Sequence, residues 1–245
     1  LATRGLSLTI GGAQLLTDLT LEVEPGELLG VIGPNGAGKT TLFNLLTGIL
    51  SPTSGQVLLD GRDITRLSPP ARARLGLGRT FQTSSVFPAL PVLENVRLAL
   101  QARGRGSLSV LRRPGAAKEQ AREHLSSVGL VHRGDVAAGS LAHGEQRKLE
   151  IALLLAMDPS VVLLDEPMAG VGSGDIEELT ALIGRIGREQ RRTVLLVEHH
   201  MDVVLGLADR IAVLQNGRLL ACDTPKAVMA DPTVQSAYLG SRSAA

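Results

Sequence analysis

Apolar and polar positions alternate in short bursts over residues 6–32 of this 245-residue chain. In "LSLTI" and "LTLEVEPGELLGVI" roughly every second side chain is apolar, and the turn-prone pairs Gly11-Gly12 and Pro25-Gly26 interrupt them. A period of two broken by such pairs predicts strands joined by hairpin turns. From Lys39 to Leu46 the spacing turns helical, and "SGQVLLDG" returns to strand. Between about Gln82 and Gly144 the character changes again. There "LPVLENVRLALQAR" and "AAKEQAREHLSSVGL" have amphipathic helical spacing and are joined by the basic, glycine-containing "GRGSLSVLRRPG", so a helical insertion is expected. Beyond it, "VVLLDEP" and "RTVLLVEHH" are apolar runs ending in acids or histidines, with the helical "GDIEELTALIGRIGREQ" between them. That succession predicts parallel strands with a crossover helix. Right-handed crossovers would gather the strand ends near Gly33, Asp165 and Glu198 at one edge, where open α/β sheets bind ligands.

Composition sharpens this picture. Hydrophobic residues make up 44% of the chain but aromatics only 2%, so the core must be aliphatic, which suits buried parallel strands. Basic and acidic residues nearly cancel, 25 against 24, and give no electrostatic footprint for nucleic acid. Cys222 is alone, which excludes an internal disulfide, fits a reducing compartment and predicts a buried, inert thiol. The longest wholly apolar run, "IALLLAM" at Ile151–Met157, is far shorter than the ~20 residues a spanning helix needs. Any membrane role is therefore expected to come through a partner. The chain opens on Leu1 rather than Met, so a few residues are expected ahead of it.

The candidate chemistry begins at "GPNGAGKTT", Gly33, Pro34, Asn35, Gly36, Ala37, Gly38, Lys39, Thr40 and Thr41, which fits G-x-x-x-x-G-K-[ST]. Glycines let the backbone curl so that successive N–H groups and a helix N-terminus point at a phosphate chain. Lys39 would reach the β- and γ-phosphates and Thr40 would offer its hydroxyl to Mg²⁺. Phosphate loops serve kinases, switches and motors alike, so the second half of the site decides. Asp165 and Glu166 stand together at the tip of a predicted buried strand. One can hold the Mg²⁺ shell while the other orients and polarises an attacking water.

With these residues in view the chain resembles the ATP-binding-cassette transporter ATPases, over nearly its whole length. "GPNGAGKTT" is similar to their phosphate loop, "RTFQ" ending at Gln82 to their glutamine loop, and "LAHGEQRKLEIA" to their signature motif. "VVLLDEP" resembles the magnesium and catalytic strand, and "VEHH" with His199 the histidine switch. The resemblance implies an α/β fold: a RecA-like P-loop NTPase core with an antiparallel β subdomain and an inserted α-helical subdomain. It implies a single nucleotide-binding domain over 1–245, with the helical part at roughly 83–150 set into a core of 1–82 and 151–245. ATP and Mg²⁺ are the implied cofactors, with Glu166 and His199 catalytic and Thr40, Gln82 and Asp165 at the metal. Leu141, Ala142, His143, Gly144 and Glu145 would present a helix N-terminus to the γ-phosphate held by an opposite subunit, with Gly144 leaving room for the amides. A head-to-tail dimer of ATPase subunits with two ATP molecules at its interface follows. Transmembrane permease subunits and, indirectly, a periplasmic or extracellular substrate-binding protein complete the implied assembly. It would sit at the cytoplasmic face of the membrane.

Finer matches, "DGRDIT", "RLGLGRTFQ", "VLENV", "EPMAGV" and "AYLG", are most similar to the ATPase subunits of branched-chain amino-acid and related amide importers. A lipopolysaccharide-type exporter is the nearest alternative. Cassette ATPases acting on DNA or ribosomes fit less well, because no sustained heptads separate Lys39 from Gly144. Three positions depart from the family pattern: Ala142 replaces a serine hydroxyl, Ile10 stands where an aromatic ring often stacks on adenine, and Gly172 stands where many cassettes place an aspartate. The first two predict weaker closure on ATP and weaker base selectivity; the third bears on communication between the two sites. His200, with no supporting ligand spacing, is expected on the surface.

Overall fold

The computed structural model describes residues 1–80, 86–104 and 115–239. Two sheets form the frame. The first is antiparallel and holds β1 (Ala2–Ile10), β2 (Ala13–Glu22), β4 (Ser54–Leu59) and β5 (Arg62–Asp63) in the order β2-β1-β4-β5. The second has β3 (Leu28–Ile32), β6 (Leu77–Arg79), β7 (Val161–Asp165), β8 (Thr193–Val197), β9 (Arg210–Gln215) and β10 (Arg218–Asp223), in the order β10-β9-β3-β8-β7-β6. All its pairings are parallel except the β9–β10 hairpin.

Every residue of β3, β7 and β8 is buried, because both faces of this sheet are covered. Alternation divides their side chains between two cores. Val162, Leu164, Val194 and Leu196 face a core shared with the helices α3 (Val92–Gly104), α4 (Ala116–Ser127), α5 (His143–Ala156) and α6 (Ser173–Arg188). Val161, Leu163, Leu195 and Val197 face the other, shared with the antiparallel sheet and α1 (Lys39–Thr47). The central sheet is thus the wall between a helical layer and a β layer. The boundary drawn at residue 150 falls inside α5.

The end of α1 is fixed by a residue whose charge suggests solvent. Arg72, on α2 (Pro69–Arg74), is almost fully buried and donates to the carbonyls of Leu45, Leu46, Thr65 and Leu67. Two of these are carbonyls of the last turn of α1, where a cation complements the helix dipole. Helix α7 (Met201–Leu207) follows β8, and α8 (Pro225–Ala230) and α9 (Pro232–Leu239) close the described chain. Cys222 is half-buried rather than buried: on β10 it accepts from Arg210 Nη2 at 3.0 Å, and burial pushes its thiol pKa up.

Candidate active site

Three adjacent strands, β3, β8 and β7, end at one edge, with Val31 level with Val197 and Val197 level with Asp165. From those ends emerge the phosphate loop, His199 and the pair Asp165-Glu166. The loop's curvature rests on its glycines. A Cβ at Gly33 would overlap the Leu214 carbonyl oxygen, and Gly38 takes φ 103° just before α1 begins. The loop is braced from outside: Gly217 N–H donates to Ala37 O at 3.1 Å, and Thr17 N–H to Gly217 O at 2.8 Å.

Lys39 is 6% exposed. Its Nζ turns back onto the carbonyls of Gly33, at 2.7 Å, and Pro34, at 3.0 Å. Burial pulls its pKa down, and the negative charges of Glu166 and Asp165 oppose that shift. A cation is thus held in a dry loop next to two acids, bonded to acceptors that a phosphate oxygen could replace. Pro34 is half-buried and Ala37 buried, whereas Asn35, Gly36 and Thr40 are exposed and Thr41 is partly so.

Asp165 is 2% exposed, and its Oδ2 forms an ion pair with Arg79 Nη2 at 2.7 Å. Arg79 also donates to Asn44 Oδ1 at 2.6 Å and lies over the Phe43 ring, 5.5 Å from its centre. The strand carrying the acid is thereby tied to the helix carrying the phosphate loop. Among the described residues the other oxygen, Oδ1, is buried with no hydrogen-bond partner. An orphaned carboxylate oxygen costs about 1–3 kcal/mol or more, and a hard cation that prefers oxygen would relieve it. The Asp165 carboxylate therefore fits Mg²⁺.

Glu166 follows the strand in a left-handed backbone conformation, φ 48°. Such a conformation is uncommon outside glycine and carries about 1–3 kcal/mol of strain. Its N–H donates to Val197 O at 2.9 Å, and its carboxylate oxygen Oε1 lies 3.0 Å from His199 Nε2. With an acceptor-only carboxylate opposite, the ring is an Nε2–H donor. Both side chains are partly open to solvent. His200 is exposed.

Leu141 is buried, Ala142 is the N-cap of α5, and His143, Gly144 and Glu145 form the first turn. Alanine offers the N-terminal amides no acceptor. Only the return half of a capping box exists, Glu145 Oε2 accepting from Ala142 N–H at 3.1 Å. Glu145 also pairs with Arg133 at 2.7 Å, which holds its pKa below the usual carboxylate range. Among the described residues the polar contacts of this turn stay within the helical layer, and none reaches the phosphate loop. The missing Cβ of Gly144 makes room for the Asp175 carboxylate, which a Cβ would meet at 2.6 Å. Ile10 is 50% exposed at the end of β1. A Cβ at Gly172 would meet nothing within 4 Å, so the local backbone does not demand glycine there. Gln82 lies outside the described residues.

Sequence reasoning missed Arg79 and the side chain of Glu198. Glu198 is buried and accepts from Met168 N–H at 2.7 Å and His199 N–H at 3.0 Å. The available signal was position: one stands three residues before Gln82 and the other one residue before His199.

A family model described as "ABC transporter" matches residues 16–169, and one described as "Branched-chain amino acid ATP-binding cassette transporter" matches residues 218–244. The chain is 38% identical over 248 residues to the high-affinity branched-chain amino acid transport ATP-binding protein LivG of Escherichia coli K12, covering 98% of this chain and 97% of that one. It is 35% identical over 240 residues to the lipopolysaccharide export system ATP-binding protein LptB of the same organism, with 98% and 97% covered. Among solved structures, the ADP conformation of MJ1267, an ATP-binding cassette of an ABC transporter, superposes with a TM-score of 0.86 at 31% identity over 98% of both chains. A dimeric post-hydrolysis state of the cassette MJ0796, bound to ADP and Pi, superposes with a TM-score of 0.80 at 25% identity, covering 91% of this chain and 98% of that one.

Proposed function

Because the chain belongs to the ABC transporter family and is an ATP hydrolase, we propose that it energises import of branched-chain amino acids or related amides through membrane-spanning subunits. The observation that carries this reading is the edge of the central sheet, where a lysine-bearing phosphate loop, a buried aspartate and a glutamate–histidine pair share three neighbouring strand ends.

In this reading the triphosphate displaces the Gly33 and Pro34 carbonyls from Lys39, and the loop amides with the N-terminus of α1 take up its negative charge. Asp165 and Thr40 would hold Mg²⁺, with Gln82, outside the described residues, as a further expected ligand. The ion, when bound, neutralises charge on the phosphate oxygens. Glu166 orients and polarises the attacking water, and the His199 Nε2–H that meets the Glu166 carboxylate passes to the γ-phosphate when nucleotide binds. Ile10 makes an apolar contact with the base. The turn Leu141–Glu145 of a second ATPase subunit closes over the γ-phosphate. Binding closes the dimer and hydrolysis reopens it.

Among the described residues no helix is long and apolar enough to cross a membrane. As a transporter's ATPase subunit, the chain would sit at the cytoplasmic face, against its permease. An apolar hollow of about 280 Å³, lined by Ile49, Pro69, Pro70, Ala73, Leu77 and Met157, among others, lies between α2 and the end of α5. It supports docking of an apolar segment of the membrane subunit. A substrate-binding protein outside the membrane would deliver the amino acid. The match of residues 218–244 supports amino-acid import over lipopolysaccharide export, which the LptB likeness keeps as the second reading.

The test is reconstitution with the co-purified membrane subunits and the substrate-binding protein that co-purifies with them. ATP-dependent leucine uptake is expected with the wild type, together with at least a hundredfold fall in phosphate release for Glu166→Gln. Equal phosphate release by the two would remove Glu166 from the mechanism, and lipid-stimulated hydrolysis without uptake would favour the exporter.

A further inference from the structure

The hydrogen bonds around Glu166 and His199 close into a ring. The Glu166 side chain meets the His199 ring at 3.0 Å, and the His199 backbone N–H donates to Glu198 Oε2 at 3.0 Å. Glu198 Oε1 accepts from Met168 N–H at 2.7 Å, and Met168 returns through Pro167 to Glu166. The carboxylate at the centre is 3% exposed, and Met168 is 1% exposed. We propose that Glu198 is a positioning residue for ATP hydrolysis, which sets the distance and aim of the Glu166–His199 pair by gripping the backbone on both sides of it.

Three features of the chain give the ring its stiffness. Pro167 has a fixed φ and no N–H, so the link from Glu166 to Met168 has few free torsions. Glu166 is held in its left-handed conformation by Val197 O, and Ala169 N–H turns back onto Glu166 O at 3.0 Å. The amides of Met168 and His199 lie 31 residues apart in sequence (199 − 168) and on the ends of two different strands, β7 and β8. One buried carboxylate is therefore the joint between the segment that carries the water-polarising group and the segment that carries the histidine.

A carboxylate suits this place because two N–H donors converge on it and it presents acceptors only. A glutamine has the same shape but a single acceptor oxygen. One of the two amides would then face an NH₂ group, and the ring would open at Met168 or at His199.

The inference rests on the hydrolase reading above, and the experiment separates the two. Single-turnover and steady-state hydrolysis of MgATP are measured for wild type, Glu198→Gln, His199→Ala and the double variant, together with the Kd of a fluorescent ATP analogue. Glu198→Gln is expected to lower kcat by at least about tenfold while the Kd moves by less than about twofold. Because Glu198 acts through the pair, the double variant is expected to be no more than about twofold slower than His199→Ala alone. A purely structural role predicts that the two losses multiply. If Glu198→Gln fails to fold, Glu198→Asp keeps both acceptors on a shorter arm and goes through the same cycle with the same expectation. A Glu198→Gln kcat within twofold of wild type, or multiplied losses, overturns the proposal and leaves the hydrolase reading standing. A wild type with no hydrolysis overturns both.

Discussion

The phosphate loop and the first turn of α5 are both helix N-termini, yet the chain treats them in opposite ways. Around the loop every charge is engaged within one subunit. Lys39 is bonded to two carbonyls, Asp165 is paired with Arg79, and the loop is braced by the β9–β10 turn and β2. Around the first turn of α5 the cap is an alanine without an acceptor, His143 is exposed, and the nearby ion pair of Arg133 and Glu145 is partly in solvent. Lys39 and Asp165 are held by partners from their own subunit, whereas at the first turn of α5 Glu145 takes the Ala142 N–H and the Asp175 carboxylate lies against Gly144. On the proposed reading, the contrast is that of a chain that binds nucleotide by itself and completes its site against a second subunit.

The contrast is broken most severely at Arg79. Arg79→Ala leaves the Asp165 carboxylate buried without its cation, and a loss of about 3–5 kcal/mol of stability is expected in urea denaturation. The same truncation at Arg133 is expected to cost far less, since that pair is solvent-screened. Similar losses at both sites would erase the distinction between the two halves. A smaller effect of opposite sign is expected at Ala142. Its φ of −62° and ψ of 158° are those of a good N-cap, so Ala142→Ser should complete the capping box with Glu145 and stabilise the chain by about 0.5–2 kcal/mol. Read as a rise in thermal midpoint, this is a few degrees. The added hydroxyl should also speed hydrolysis, and a lower melting temperature would place the cap elsewhere.

What the sequence made legible follows from where each signal lies. Strands β3, β7 and β8 stood out as unbroken apolar runs because both their faces are buried, and α1, α4 and α6 because one face of each is buried. Strand β6 is only three residues long, too short for a period, and follows a Pro-Pro pair that reads as a break. The burial of Arg72 and Arg79 was invisible, because Leu45, Leu46 and Asp165, among their partners, lie 26 to 86 residues away in sequence. The β9–β10 hairpin carries a plain signal, Asn216-Gly217 with φ 48° and 72° between apolar stretches, that the stronger motifs overshadow. In the site, Asp165, Glu166 and His199 could be picked out by residue type at a strand end. Glu198 could be placed at a strand end, but not its contacts, since its partners are backbone amides, which have no letter in the sequence.

The central claim is that one copy's phosphate loop and another copy's α5 turn clasp the same triphosphate. Its most direct test places cysteines at the exposed Asn35 and His143 of two differently tagged copies, in a Glu166→Gln, Cys222→Ser background, and adds a short bis-maleimide. With saturating MgATP the account predicts efficient cross-links between the Asn35→Cys copy and the His143→Cys copy, which fade when nucleotide is withdrawn. A chain that stays monomeric under saturating MgATP, or one whose cross-links join like positions instead, would contradict it.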